Sequence, residues 1–318
     1  MDRPDPTVRR GTDGDIAAAI RVASAALGWN PSDPNDAFFR WKHLENPAGR
    51  SPVWLAVDGD EIIGFRTMMR WRFATPDGGR VAAVRAVDTA THPDHQRRGV
   101  FRALTMTAVD ELTEEGSSFV FNTPNDNSRP GYLKMGWRDA GRIPTRVALA
   151  SPAVLPRLAG ARTAAAKWSE PCPAGDPIEH VADDLEDLLA LTPTPDGIAT
   201  ERTADHLRWR YGFEPLHYRV VRSDEGAAIV RVRRRGTARE AVLAEMFAPD
   251  AAIARRLLRR IRRSLPIDHV LTLGAVPHPT PWLPTIPRLG PRLTIRDLAG
   301  TGPDPTDFRL ALGDIELF

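Results

Sequence analysis

Gln96-Arg97-Arg98-Gly99, with Arg102 one helical turn further on, sets three arginines around a glycine at a change of pattern. The segment from Val84 to Leu104 reads VRAVDTATHPDHQRRGVFRAL: a β-branched run to Thr91, a short polar loop, then helical spacing from Gly99. Strand, loop and helix in that order aim several backbone N–H groups and the positive helix end at one spot. Arg97, Arg98 and Arg102 add full charges there. A pyrophosphate suits this spot, because each hydrogen bond to a charged group contributes about 1.5–3 kcal/mol. Three or four such bonds hold a diphosphate firmly. Gly99 lets the backbone approach the phosphates with no Cβ in the way. The other reading is an ordinary basic turn capping a core helix, and spacing alone weighs the two equally.

The elements that must position this turn are readable from periodicity. Asp15 to Leu27 has helical spacing, with Ile16, Ile20, Ala23 and Leu27 near one face. Pro34 to Leu44 reads as a second helix that closes before Pro47. The period then changes. Pro52 to Val57 and Glu61 to Phe73 are strand-like about the turn Asp58-Gly59-Asp60, and Arg80 to Thr91 is a long β-branched run. Gly99 to Leu112 is helix, Ser118 to Asn122 a short apolar strand, Asn127 to Met135 a short helix, and Trp137 to Ala150 room for two strands. The expected fold is α/β with mixed sheet.

This order and its motifs resemble the GNAT superfamily of N-acetyltransferases over about residues 52–150. Gln96-Arg97-Arg98-Gly99-Val100-Phe101 matches the first and fourth positions of the family's Gln/Arg-x-x-Gly-x-Gly/Ala motif, with Phe101 where Gly or Ala is usual. The resemblance implies acetyl-CoA as cofactor, bound by Gln96, Arg97, Arg98, Gly99, Val100, Phe101 and Arg102. Val87 to Pro93 resembles the family's fourth strand, which implies that Thr89, Ala90 and Thr91 pair with the pantetheine arm. Tyr132-Leu-Lys-Met-Gly136-Trp137 is similar to the family's Tyr-x-x-x-Gly-Phe segment, whose phenol gives a proton to the departing thiolate; the other reading has Tyr132 packing its ring at a helix end. Asn127, in the same short helix, is counted with the cofactor residues. A protonated amine must lose its proton before it attacks. Asp88 is the candidate base, and its rival role is a structural carboxylate paired with Arg85 or Arg66. The family's usual Glu falls where this chain has Arg85. His92 and His95 flank the loop, with His95 expected to cap it or meet phosphate. Asn122 and Asn125 could meet substrate. The terminal carboxylate is a further candidate base, against a plain final strand.

Three domain ranges are expected: residues 1–150 as the acyl-CoA-binding unit, 151–177 as a Pro/Ala-rich linker, and 178–318 as a degenerate GNAT-like unit. Leu207-Arg-Trp-Arg answers Phe39-Arg-Trp-Lys, with Trp41 and Trp209 168 residues apart, and each block precedes a proline, a strand, an acidic turn and a second strand. After the strand Ala241 to Phe247 comes Ala248-Pro-Asp-Ala-Ala, with no basic glycine turn. Arg255 to Arg263 is amphipathic, six arginines opposite an apolar face, and reads as a solvated surface or a site for an acidic partner. Pro277 to Pro291 is expected to be an ordered loop rimming a cleft.

Composition bounds the rest. At 318 residues, 42% hydrophobic and 26% charged, the chain suits two folded domains, and a net charge of +2 does not call for a nucleic-acid partner. The single cysteine, Cys172, between two prolines, excludes an internal disulfide and makes a poor acyl carrier. MDRPDPTVRR has no apolar core for a signal peptide, and no apolar run nears the roughly 18 residues of a membrane span. The expectation is a cytoplasmic enzyme, without metal, moving acetyl from acetyl-CoA to a primary amine of a small molecule such as an amino sugar or aminoglycoside. Two other readings stay open: a Fem-like aminoacyl transferase using charged tRNA, and an acyl-CoA-binding protein without catalysis.

Overall fold

The computed structural model describes the chain except residues 1–5, 160, 162, 173, 192, 194–195, 275–282, 287, 301 and 317–318. In chain order the first half holds β1 (Thr7–Arg10), α1 (Ile16–Leu27), α2 (Asn35–His43), β2 (Val53–Asp58), β3 (Glu61–Ala74), β4 (Arg80–Thr91), α3 (Val100–Glu114), β5 (Phe119–Asn122), α4 (Arg129–Lys134), β6 (Arg138–Arg142) and β7 (Thr145–Leu149). The second half holds α5 (Leu155–Ala159), α6 (Leu185–Ala190), β8 (Ala199–Thr200), α7 (Ala204–Tyr211), β9 (Arg219–Ser223), β10 (Gly226–Arg235), β11 (Ala238–Phe247), α8 (Ala251–Ser264), β12 (His269–Leu273), β13 (Thr285–Ile286), β14 (Arg292–Asp297) and α9 (Leu312–Ile315). The mixed α/β class expected from the sequence is the one observed.

These elements form two compact units. The first comprises Met1–Phe73, Arg80–Gly141 and Arg292–Thr306; the second comprises Ala74–Gly79, Arg142–Pro291 and Asp307–Phe318. In the first unit the strands run β1-β2-β3-β4-β5-β14-β6, and in the second β13-β7-β12-β11-β10-β9. Each unit has a parallel pair joined through a helix: β4 with β5 through α3, and β11 with β12 through α8. Beside each pair lies a strand from the far half of the sequence. Antiparallel β14 pairs with β5, and antiparallel β7 pairs with β12. The units therefore differ from the ranges 1–150 and 178–318 by a reciprocal exchange of one strand. Periodicity reports that a strand exists and is silent on which sheet receives it.

Burial explains the elements that matter here. The helix α3 turns Val100, Leu104, Ala108, Val109 and Leu112 inward, while the short β5 is buried along its whole length. Gly64 on β3 permits the close seat of α3: a Cβ there would stand 2.9 Å from Val100 Cγ1 and 3.1 Å from the Ala90 carbonyl. The helix α1 packs Ile16, Ala19, Val22 and Ala23 inward and stops at Gly28, whose φ of 69° is left-handed. In the second unit α8 buries Ile253, Ala254, Leu257, Leu258 and Ile261 and leaves Arg255, Arg256, Arg259, Arg260 and Arg263 exposed. Cys172 is buried in that unit's core. No helix among the described residues is long and apolar enough to cross a membrane.

Candidate active site

The strand β4 is where the first unit opens. Its parallel pairing with β5 covers Ala83, Val84 and Arg85 opposite Phe119, Val120 and Phe121. Past Arg85 the other edge stays attached to β3. Thr67 Oγ1 donates to the Val87 carbonyl at 3.0 Å, Thr89 Oγ1 to the Phe65 carbonyl at 3.3 Å, and the His92 N–H to the Ile63 carbonyl at 2.8 Å. The end of β4 thus has one edge tied down and one edge facing a cleft of about 400 Å³.

That cleft collects most of the residues expected to hold the cofactor. Thr89, Ala90 and Thr91 line one wall; Gln96, Arg97, Gly99, Val100, Phe101 and Arg102 line the other. Arg97 and Gly99 adopt left-handed φ values of 63° and 76°, which turns the loop sharply into α3. A Cβ on Gly99 would meet nothing within 4 Å, so the glycine serves the backbone conformation and an open face. The helical ladder begins with the Ala103 N–H on the Gly99 carbonyl at 3.0 Å. The N–H groups of the first turn before it have no carbonyl in register and face the cleft side with the positive helix end. Gln96, Arg97 and Arg102 are exposed there. An anion fits this cradle.

Several expected residues fall elsewhere. Arg98 turns its guanidinium away to Asp58, at 2.7 Å, and to His95 Nδ1, at 2.9 Å. His95 is buried and Arg98 half-buried, so this pair braces the loop from behind. Asn127 sits exposed in the turn before α4 and is not part of the cleft wall. Asn122 and Asn125 are spent locally, accepting from Thr294 Oγ1 at 2.6 Å and from the Ser128 N–H at 2.9 Å. Ala26 and Leu27, at the end of α1, line the cleft and escaped the sequence reading. Leu27 is 48% exposed at the tip of an otherwise core-facing helix, an exposure that helical spacing alone does not reveal.

Phe101, the departure from the usual small residue, does not fill the cradle. Its ring lies edge-on to Tyr132, centroids 5.4 Å apart, and Cε1 sits where Gly131 lacks a Cβ, 3.1 Å from that position. Tyr132 is buried in turn against Trp137, at 5.1 Å between centroids. The exchanged strand steadies this corner: Arg296 of β14 donates to the Met135 carbonyl at the end of α4 and lies over Trp137.

Asp88, the expected base, is held differently from its expected rival role. Its partners are neither Arg85 nor Arg66. Lys42 Nζ and His43 Nε2 both stand 2.8 Å from Asp88 Oδ2, and His43 Nδ1 stands 2.9 Å from Ser51 Oγ. Burial pushes the carboxyl up, but the Lys42 ammonium and the His43 imidazole more than offset it, leaving Asp88 well below the usual carboxylate range. Burial also pushes His43 down, so it stays neutral, Nε2–H donating to Asp88 and Nδ1 accepting from Ser51. A carboxylate stabilised this way has little affinity for a substrate's proton.

The second unit repeats this tether. Counting from the parallel pairing, Glu245 holds on β11 the place that Asp88 holds on β4. Tyr211, two residues after Trp209 as His43 is two after Trp41, donates to Glu245 Oε1 at 2.9 Å. What differs is the space alongside. In the second unit α9 fills it: a Cβ on Gly313 would lie 3.2 Å from the Ala244 carbonyl, and Asp314 meets Arg202 at 3.0 Å. Where the first unit has its basic loop, Asp250 accepts from the Ala252 and Ile253 N–H groups at 2.7 and 2.9 Å and closes the start of α8 to an anion. The chain terminus lies outside the described residues, as does much of the loop expected at Pro277 to Pro291.

Comparison with known proteins agrees with this geometry. The family model of the acetyltransferase (GNAT) domain matches residues 7–140. This match makes residues 7–140, less than half of the chain, a GNAT-type domain. Solved structures with the same fold include a GCN5-related N-acetyltransferase from Kribbella flavida (17% identity, TM-score 0.65, 93% of this chain and 72% of that one) and one from Anabaena variabilis (15%, 0.63, 92% and 73%). Eis1 from Mycobacterium abscessus is also similar (17%, 0.59, 92% and 74%). No curated protein sequence matches. GNAT acetyltransferases generally draw their acyl group from acetyl-CoA.

Proposed function

We propose that the chain moves an acetyl group from acetyl-CoA to a primary amine of a small molecule by direct attack, with no covalent enzyme intermediate. The observation that carries this reading is the open edge of β4 running into the anion cradle of Arg97 to Arg102, with Tyr132 behind it. Backbone N–H groups of the first turn of α3, with Arg97 and Arg102, would hold the diphosphate, while Thr89 to Thr91 offer main-chain groups to the pantetheine arm. The acetyl thioester supplies an electrophilic carbonyl carbon. Tyr132 would give its phenolic proton to the sulfur as the C–S bond breaks. Asp88 is assigned to the scaffold, where it ties α2 to β4, and is not proposed as the base. Cys172 lies in the other unit's core and takes no part. We take the second unit as a degenerate GNAT-like repeat whose groove α9 has filled.

Calorimetry with acetyl-CoA and free CoA tests the cradle, and release of free thiol across a panel of amino sugars, aminoglycosides and simple amines tests the transfer. Binding of neither cofactor form at millimolar concentration would remove the reading. Binding without thiol release from any amine would leave an acyl-CoA-binding protein in its place.

A further inference from the structure

Arg66 is the buried group that the reaction above does not use. It sits on β3 with none of its surface exposed. Its Nη2 donates to the Tyr132 hydroxyl oxygen at 2.5 Å, while Nε and Nη1 find no hydrogen-bond partner among the described residues. No carboxylate among the described residues pairs with it; the guanidinium instead rests against two rings, 5.4 Å from the Phe101 centroid and 5.3 Å from that of Tyr132. Cation–π contact returns part of the desolvation cost of such a cation, and a well-packed apolar residue of similar volume would do as well or better for stability. Arg66 is therefore poorly explained by folding alone.

We infer that Arg66 is a positioning residue that makes Tyr132 the proton donor of the reaction. This rests on the reading of Tyr132 given above. A guanidinium has only donors, so Tyr132 can accept from Arg66 and cannot donate to it. With its oxygen engaged, the phenol must direct its single O–H proton elsewhere. The ring is fixed between Phe101 and Trp137, and Phe101 lines the cleft. When the amine nitrogen bonds to the carbonyl carbon and the C–S bond breaks, the electron pair stays on sulfur. The Tyr132 proton then moves to that sulfur and leaves a phenolate against the Arg66 cation. The proton shed by the new amide nitrogen returns through water to Tyr132, so the enzyme ends as it began. Phe101 gains a reason in the same arrangement: a glycine or alanine would leave one face of the guanidinium uncovered.

The test is a double-mutant cycle read by thiol release, with melting temperature and calorimetric acetyl-CoA binding measured on every variant. Arg66→Met is expected to lower kcat by about tenfold or more, with affinity for acetyl-CoA within about twofold and melting temperature not reduced. In the Tyr132→Phe background the same substitution should cost almost nothing further, because the proton it positions is gone. Losses that multiply in the double variant, or an Arg66→Met enzyme with full kcat, would overturn the inference while leaving Tyr132 as the acid. Full kcat in Tyr132→Phe alone would remove the acid assignment, and this inference with it. If Arg66→Met does not fold, Arg66→Lys enters the same cycle; if both melt while Tyr132→Phe is intact, Arg66 is a packing residue and the proposal fails.

Discussion

Replacing Asp88 by Asn separates the two roles a carboxylate could have on β4. As a base, Asp88 would be needed in the rate and not in the fold; Asn would lower kcat by about 10²–10⁴ and leave stability nearly unchanged. As the tether seen here, it neutralises Lys42, whose side chain is 1% exposed, and accepts from His43, which is wholly buried. Asn can still bond His43, but the Lys42 ammonium loses its counter-charge. Removing one partner of a buried ion pair typically costs about 3–5 kcal/mol. At about 2–4 °C per kcal/mol for a unit of this size, the melting temperature should fall by roughly 6–20 °C. Lys42→Met combined with Asp88→Asn removes the stranded charge and should recover much of that loss. Differential scanning calorimetry on the parent and the two variants, with thiol release and calorimetric CoA binding at a temperature where each is folded, decides it. An Asp88→Asn protein that melts with the parent yet loses turnover would refute the tether and return Asp88 to the chemistry.

Other outcomes follow from single features of the structure. Gly99→Ala meets no atom, so the free loop can relax away from φ 76° with little change in melting; restoring that conformation to hold CoA then costs about 1–2 kcal/mol, and affinity should weaken by roughly five- to thirtyfold in calorimetry. His206 is wholly buried in the second unit; burial, with Arg202 nearby, pushes it from 6.5 down to about 3. Because the folded value is depressed, the unfolded chain binds the extra proton between those pH values, so stability falls as pH drops below about 6.5. At pH 4.5 the contribution is about 2.7 kcal/mol, and His206→Gln should flatten the decline between pH 7 and 4.5 in urea melts. A fragment ending at residue 150 lacks β14 and leaves the edge of β5 unpaired, so it should aggregate, whereas a chain nicked in 151–177 should hold together on size exclusion. Arg296→Met should lower turnover more than CoA binding, since it touches the end of α4 and not the cradle.

Most of the local structure was legible in the residues themselves. The run Arg80 to Thr91 coincides with β4, and the glycine turn, α3 and the short helix of Tyr132 lie within a residue or two of their expected places. These features depend on patterns a few residues long: alternation for a strand, a 3.6-residue stripe for a helix, a glycine where the backbone turns left-handed. The anion cradle belongs to the same class, because every group in it comes from one continuous strand–loop–helix. What the sequence could not fix is pairing across long separations. Asp88 is 45 residues from His43, and nothing local says that its charge would be spent on Lys42 and His43. Arg66 and Tyr132 are 66 apart, and β5 and β14 more than 170. Any of 40 arginines could have answered a given carboxylate, and any strand of suitable pattern could have closed either sheet edge. Those choices are made by which arrangement buries the most apolar surface while leaving the fewest charges unmatched, a condition on the whole chain at once.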